Sequence, residues 1–281
     1  MKIGKYKLRS IETGRFALDG GAMFGVVPKT IWAKTNPPDE LNRISLASRA
    51  LLLISDDKII LVDSGLGEKY NDKLKNIYKF DFTEFNLKKS LSKFGLSTDD
   101  ITDVLLTHLH FDHCGGNTEI VNGKIQATFK NANYYVQKSQ YFAAINPTER
   151  DKASFMKDDF EIINSNSQFK FLEDENTPFE NIKVKVCNGH TYSQQLPLIS
   201  DGDNTILYCC DLVPTFSHIP FPYIMGYDLR PLQTLEEKKI ILTEAAKNNW
   251  ILFSEHDPNT EAVTLKQSEK GFVVDQVLKF E

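Results

Sequence analysis

Short apolar runs separated by polar turns dominate the chain and predict more strands than helices. Residues 50–54 and 58–62 flank a Ser-Asp-Asp turn, which predicts a β-hairpin. Residues 196–200 and 204–209 flank an Asp-Gly-Asp turn in the same way. Further strands are predicted at residues 103–107, 183–187, 250–253, 261–265 and 271–278.

Apolar residues at helical spacing are fewer. They predict helices at residues 81–94, 134–144, 151–157 and 235–246. Gly95 follows the first helix as a C-terminal cap, while Thr234 and Glu237 are placed to form a capping box for the last. Strands that outnumber the helices between them are typical of layered α/β or α+β proteins with mixed sheets. Because no linker divides the chain, we expect residues 1–281 to form a single domain.

The composition narrows the function. The net charge is −5 and no basic run exceeds two residues, so a nucleic-acid partner is not expected. No apolar stretch approaches the ~20 residues of a membrane helix, and no apolar segment follows the charged first residues as in a secretory signal. Cys209 and Cys210 are adjacent, which suits no disulfide framework. These features predict a cytoplasmic protein without a membrane partner.

One short segment concentrates the chemistry. His108, His110, Asp112 and His113 lie within six positions, and the whole chain has only six histidines. Imidazoles and a carboxylate are ligands for Zn²⁺, Fe or Mn²⁺. His108 and His110 face the same side of an extended strand end, whereas Asp112 and His113 follow a turn and can serve a second ion. The segment therefore predicts a metal site.

Three further residues follow predicted strands in the same way. His190, Asp211 and His256 each come a few residues after an apolar run. Loops at strand ends are where rigid scaffolds carry sites, so we expect these side chains to join the first cluster. Seven ligand groups would serve two ions that share one carboxylate.

These motifs resemble the metallo-β-lactamase-fold hydrolases. The resemblance rests on His-x-His-x-Asp-His, Gly-His-Thr at residues 189–191, Asp211, His256, and the earlier Leu-Val-Asp-Ser-Gly at residues 61–65. It implies an α+β fold, a four-layer αβ/βα sandwich with two mixed sheets flanked by helices. It also implies one metal held by His108, His110 and His190, a second held by Asp112, His113 and His256, and Asp211 as the bridge.

The resemblance further implies a role for each group. Two divalent cations, Zn²⁺ in the first instance with Mn, Fe or Co as alternatives, would hold a bridging hydroxide that attacks a carbonyl carbon or phosphorus. Asp112 would then pass a proton to the leaving group, and Asp63 would orient a ligand histidine. A homodimer is usual in such enzymes.

The nearest group by resemblance is the quorum-quenching lactonases and their methyl-parathion-hydrolase-like relatives. The expected substrate is a small ester, lactone or phosphotriester with an apolar portion. The N-terminal segment 1–35 and the insert 212–230 are expected to shape the pocket. The predicted pocket residues are Met23, Phe24, Phe216, His218, Phe221, Tyr223 and Tyr227.

Some positions depart from that group. Thr-Tyr-Ser-Gln-Gln at residues 191–195 replaces the common Thr-Pro-Gly-His, and Cys210 precedes the bridging aspartate. Lactonases carry a tyrosine shortly after that aspartate, and here Tyr223 or Tyr227 is the candidate to replace it. Two alternatives stay open: a mononuclear iron persulfide dioxygenase on the same fold, and a non-catalytic binding protein stabilised by metal.

Overall fold

Two mixed sheets form the centre of the protein. The computed structural model describes residues 1–269 and 271–280. Its strands are β1 (Lys2–Ile3), β2 (Tyr6–Asp19), β3 (Arg43–Ile54), β4 (Ile59–Val62), β5 (Asp103–Leu105), β6 (Thr118–Val121), β7 (Lys124–Ala127), β8 (Asn133–Gln137), β9 (Phe169–Leu172), β10 (Ile182–Cys187), β11 (Gln194–Ser200), β12 (Thr205–Tyr208), β13 (Ile251–Phe253), β14 (Ala262–Ser268) and β15 (Gly271–Leu278). Its α-helices are α1 (Gly20–Phe24), α2 (Lys29–Trp32), α3 (Asp72–Tyr78), α4 (Leu87–Ser92), α5 (Phe111–Cys114), α6 (Lys138–Ile145), α7 (Glu161–Ser165) and α8 (Pro231–Lys247).

The first sheet has the order β1-β2-β3-β4-β5-β8-β9 and the second runs in chain order from β10 to β15, while β6 and β7 form a small hairpin. In the first sheet, β4, β5, β8 and β9 pair in parallel and the others antiparallel. In the second, only the β12–β13 pair is parallel among the described strands. Parallel neighbours bring their carboxyl ends to one edge of a sheet, which is where the site residues follow.

Strand β3 shows why the layers form. Leu51 and Leu53 pack against the second sheet, whereas Ala50 and Leu52 face the opposite way, toward the side covered by helices. A strand buried on both faces has a continuous apolar sequence, as residues 50–54 do. Helices α4, α6 and α7 cover the outer face of the first sheet, and α8 packs on the second. The result is the four-layer sandwich that the resemblance implied.

Both predicted hairpins are confirmed, by the β3–β4 and β11–β12 pairs. The predicted helix at 81–94 was too long, because Asp81 pairs with Arg15 of β2 through backbone hydrogen bonds and Asn86 starts the helix by capping Lys89 N–H. The predicted helix at 134–144 was wrong in its first half, since β8 pairs there with β5. Among the described residues, none of the helices is long and apolar enough to cross a membrane.

Two other helix predictions need correction. Residues 151–154 form turns, with Asp151 accepting hydrogen bonds from Thr148, and a 3-10 helix begins only at Lys157. Helix α8 begins earlier than predicted, with Pro231 in its first turn, so Thr234 lies inside the helix. Glu237 does not close a capping box. It accepts hydrogen bonds from Asn188 N–H at 2.8 Å and Gly189 N–H at 3.0 Å, which fixes the loop that leads to His190.

Candidate metal centre

The site lies where loops that follow strands of both sheets meet. His108 and His110 follow β5, and His190, Asp211 and His256 follow β10, β12 and β13. The short helix α5 places Asp112 and His113 beside them. It fits because Gly116 lets the backbone approach Ser64, whose carbonyl oxygen would lie 2.3 Å from a Cβ at that position. The structure therefore brings together all seven residues that the sequence singled out.

Three imidazoles and one carboxylate form the first half of the site. His110 Nδ1 lies 3.0 Å from His108 Nε2 and 3.1 Å from His190 Nε2. Asp211 Oδ2 lies 3.0 Å from His190 Nε2 and 3.7 Å from His108 Nε2. All four side chains are buried. Four donor atoms thus converge on one small volume.

Two imidazoles and two carboxylates form the second half. His113 Nε2 lies 3.1 Å from His256 Nε2. Asp211 Oδ1 lies 3.5 Å from His256 Nε2, while its Oδ2 lies 3.5 Å from His113 Nε2. Asp112 Oδ2 lies 3.6 Å from His256 Nε2. Asp211 therefore stands between the two halves and has an oxygen toward each, as a bridging ligand would.

The donor set fits divalent cations. A nitrogen pair at 3.0 Å can share only one proton, and His110 Nδ1 faces two such nitrogens. Nitrogens bound to one tetrahedral Zn²⁺ at 2.0–2.1 Å would lie about 3.3 Å apart, close to the observed spacing. His110 Nε2 is buried without a hydrogen-bond partner, so its ring makes no competing contact that would turn Nδ1 away. Histidine nitrogens and aspartate oxygens together are typical ligands of Zn²⁺.

The electrostatics agree with that fit. Burial and neighbouring imidazoles hold the pKa of His108 and His110 well below the usual value, so their nitrogens keep free lone pairs. Burial opposes ionisation of Asp211, yet His190 and His113 lower its pKa well below normal. Burial also opposes protonation of His190, but Asp211 and Asp228 raise its pKa to about 10. A cation would replace the proton that balances Asp211.

Hydrogen bonds orient the imidazoles from behind. Asp63 Oδ2 lies 2.9 Å from His113 Nδ1, and the same carboxylate accepts hydrogen bonds from the backbone and hydroxyl of Thr107. Ala47 carbonyl lies 3.0 Å from His256 Nδ1. An Nδ1–H bonded in this way leaves Nε2 as the free lone pair toward the site. The predicted position of Asp63 behind a ligand histidine agrees with this contact.

A cleft opens above the two halves. It has a cavity volume of about 160 Å³. Its lining includes the site residues His110, Asp112, His190, Asp211 and His256, the apolar Leu18, Met23, Phe111, Met225 and Leu229, and the polar Tyr78, Arg150, Asp151, Ser154 and Tyr227. Of the seven predicted pocket residues, Met23 and Tyr227 line this cleft.

The other five predicted pocket residues lie outside the lining. His218 lies 2.9 Å from the Met23 carbonyl through Nε2 and stacks on Phe24, so this pair ties the insert to the N-terminal segment. Tyr223 packs edge-on against Phe24 and Phe221 packs on Phe272, while Phe216 belongs to the core between the sheets. The insert therefore packs mainly against the N-terminal segment and the core, and it lines the cleft only at residues 225–229.

The chain matches the metallo-beta-lactamase superfamily over residues 45–256, well over half of its length. It belongs to this superfamily. The matched region contains all seven residues of the candidate metal centre. It begins within strand β3, before Leu51 and Leu53, which face the second sheet.

Relatives of this superfamily member are named as lactonases and metal-dependent hydrolases. It is 26% identical to the N-acyl homoserine lactonase AiiA of Bacillus thuringiensis subsp. kurstaki over 269 residues, which cover 91% of this chain and 94% of the relative. A probable metal-dependent hydrolase from Staphylococcus aureus matches with a TM-score of 0.90 and 28% identity, covering 100% of this chain and 99% of that one. AidC, a dizinc quorum-quenching lactonase, supports the fold with a TM-score of 0.80 at 23% identity and 98% and 95% coverage. The chain is a metal-dependent hydrolase.

Sequence reasoning missed three residues of this metallo-β-lactamase-superfamily site. Asp228 Oδ1 lies 2.9 Å from His190 Nδ1, although the two residues are 38 positions apart. Glu255 is buried beside His256, and its position next to a ligand histidine was a signal that could have found it. Arg150 lines the cleft and donates to the Gly226 and Asp228 carbonyl oxygens, but it lies between two predicted helices, where no pattern singles it out.

Proposed function

We propose that the protein is a dinuclear metallohydrolase that opens lactones of the N-acyl-homoserine type. The observation that carries this proposal is Asp211, whose carboxylate contacts histidines of both halves, His190 and His113 through Oδ2 and His256 through Oδ1, in a partly apolar cleft. The lactonase AiiA aligns with 91% of this chain, which supports a lactone as the substrate. The same relatives favour hydrolysis over the iron persulfide dioxygenase alternative.

The ligand groups divide between two cations in the proposed enzyme. His108, His110 and His190 would hold one, Asp112, His113 and His256 the other, and Asp211 both. Two bound divalent cations would supply a water of lowered pKa as the nucleophile and positive charge for the developing oxyanion. We propose Zn²⁺ at both positions, with Mn, Fe or Co as alternatives.

The remaining groups of the cleft bind and orient the substrate. Leu18, Met23 and Met225 form an apolar wall for the acyl chain. Burial raises the pKa of Tyr227, so its phenol stays protonated and can donate a hydrogen bond to a substrate carbonyl. Asp112 lines the same cleft and would accept the proton released by the attacking water and pass it to the ring oxygen as the carbon–oxygen bond breaks.

The test compares substrates on protein loaded with Zn²⁺ or Mn²⁺. Acyl-homoserine lactones should be hydrolysed faster than paraoxon and aryl esters, and metal analysis should find two ions per chain. His110→Ala, which removes a nitrogen shared by two close contacts, should abolish turnover. Wild-type turnover of lactones no higher than that of His110→Ala would refute the lactonase, and turnover of paraoxon or aryl esters would then identify another substrate class.

Other expectations stay predictions with their own measurements. A single domain spanning residues 1–281 predicts one cooperative unfolding transition. The homodimer predicts twice the chain mass of 32.0 kDa in light scattering. The cytoplasmic location is tested by fractionation of the producing cells.

A further inference from the structure

Glu255 has an unusual environment for a charged side chain. It follows β13 directly before His256, and only 1% of it is exposed. Both of its carboxylate oxygens are buried without a hydrogen-bond partner. Its Oε1 lies 4.0 Å from His256 Nε2. Ligand atoms of His113, Asp211, Glu255 and His256 all lie within 4.8 Å of one another.

The backbone around Glu255 is tied, but its side chain is not. Its carbonyl accepts a hydrogen bond from Arg49 N–H at 3.1 Å. The hydroxyl of neighbouring Ser254 donates a hydrogen bond to the Pro214 carbonyl oxygen. The Asp257 carboxylate accepts hydrogen bonds from the backbone N–H groups of residues 216, 259 and 260. The polar neighbours of Glu255 therefore have structural partners, and the glutamate itself has none that would explain a carboxylate at this position.

No lysine or arginine of the described residues forms an ion pair with the Glu255 carboxylate. Among residues 1–269 and 271–280, the one ion-pair neighbour of the Glu255 carboxylate is His256. Burial and the nearby Asp211 disfavour the charged form of this carboxylate, and His113 partly offsets them. A buried carboxylate without a hydrogen-bond donor or a lysine or arginine partner is strongly unfavourable in a protein interior. A cation between His113, Asp211 and His256 would remove that penalty.

We propose that Glu255 is a further carboxylate of the metal centre and helps to bind the cation of the His113–His256 half. The proposal rests on the proposed function. With Asp112 and Asp211, this half then has three carboxylates and two imidazoles, whereas the other half has three imidazoles and shares Asp211. Oxygen-rich sites favour harder cations such as Mn²⁺ over Zn²⁺. Glu255 thus strengthens cation binding in one half and shifts its preference toward harder ions.

Metal titration of the full-length protein tests this assignment. Metal-free wild type, Glu255→Gln and Glu255→Met are titrated with Zn²⁺ and with Mn²⁺ against a chromophoric chelator. We expect one binding step to weaken about tenfold or more in both variants and the other to stay unchanged. The loss should be greater for Mn²⁺ than for Zn²⁺. Glu261→Gln is the matched control, because its carboxylate accepts a hydrogen bond from Phe280 N–H and Gln keeps an acceptor.

Thermal unfolding separates this role from a structural one. In EDTA, Glu255→Met should melt no lower than wild type, because it removes an unpartnered buried carboxylate; added metal should then raise its melting temperature less. A variant that melts lower in EDTA and gains the full metal-induced rise would overturn the proposal, as would wild-type affinity at both steps. Failure of the lactonase assay alone would leave these readouts intact, so the two proposals are judged separately.

Discussion

Asp228 allows a test of one half of the metal centre without touching the other. Its Oδ1 accepts the hydrogen bond of His190 Nδ1 over 2.9 Å, and both side chains are buried. A hydrogen bond to a charged group contributes about 1.5–3 kcal/mol. Asp228→Ala removes this bond and frees the His190 ring to turn. We therefore expect cation affinity at the half that contains His190 to fall about 10- to 100-fold.

Asp228→Asn separates charge from geometry at the same position. The amide oxygen can still accept the Nδ1–H bond, but as a neutral bond it contributes about 0.5–1.5 kcal/mol. The difference of about 1 kcal/mol corresponds to about a fivefold loss of affinity. Arg150 donates to the Asp228 backbone carbonyl, which both variants keep, so the loop should stay in place.

The assay is a chelator-competition titration that resolves two binding steps. Wild type, Asp228→Ala and Asp228→Asn are compared with Asp56→Ala, which changes an exposed turn. The affinity of one binding step should fall most in Asp228→Ala and less in Asp228→Asn, and the affinity of the other step should equal that of wild type. Equal weakening of both steps, or wild-type binding by Asp228→Ala, would show that Asp228 does not position a ligand of one half.

Three further predictions concern stability and substrate binding. Burial lowers the pKa of Lys238 from 10.5 to about 7, so the unfolded chain binds this proton more tightly than the folded protein. The free energy of unfolding should therefore be lowest below pH 7 and rise toward pH 10.5. In denaturant titrations, this pH-dependent rise should vanish in Lys238→Met. Tyr227→Phe should lower kcat/KM for acyl-homoserine lactones about tenfold through loss of one hydrogen bond, with metal content unchanged, and an unchanged kcat/KM would remove Tyr227 from substrate binding. Gly116→Ala should destabilise the protein by about 1–3 kcal/mol, since its Cβ would meet the Ser64 carbonyl, and equal unfolding midpoints would contradict that contact.

Local patterns were enough for both hairpins and for the ligand loops, whereas strands β2, β6, β7 and β9 were not predicted. The Ser-Asp-Asp and Asp-Gly-Asp turns predict both hairpins because turn chemistry is set by adjacent residues. The ligand loops were recognisable because each follows an apolar run and because histidine is rare in this chain. Five of the six histidines lie in the candidate metal centre, and His218, the sixth, has the structural role of bonding the Met23 carbonyl.

Tertiary contacts decided what local patterns could not. Residues 134–137 have apolar positions that suit either a strand or a helix, and parallel pairing with β5 selects the strand. The predicted pocket residues were chosen because they lie in the N-terminal segment or in the insert after Asp211 and are mostly apolar, and apolar character equally suits packing between the insert and α1. Asp228 supports His190 only through the path of the insert, which no spacing along the sequence reveals.

The two halves of the metal centre support their imidazoles in the same way. Each half has one histidine backed by a carboxylate, His190 by Asp228 and His113 by Asp63. The backing in the two halves is therefore similar, and the ligands themselves make the difference. The first half is rich in nitrogen, and the second is rich in oxygen, more so with Glu255. Because softer cations prefer imidazole and harder ones carboxylate, equimolar Zn²⁺ and Mn²⁺ should fill the halves unequally, with Mn²⁺ on the His113–His256 side. The electron paramagnetic resonance spectrum of Mn²⁺ in the mixed-metal protein should then change in Glu255→Gln and stay as in wild type in Asp56→Ala. A random distribution of the two metals between the halves would contradict this division.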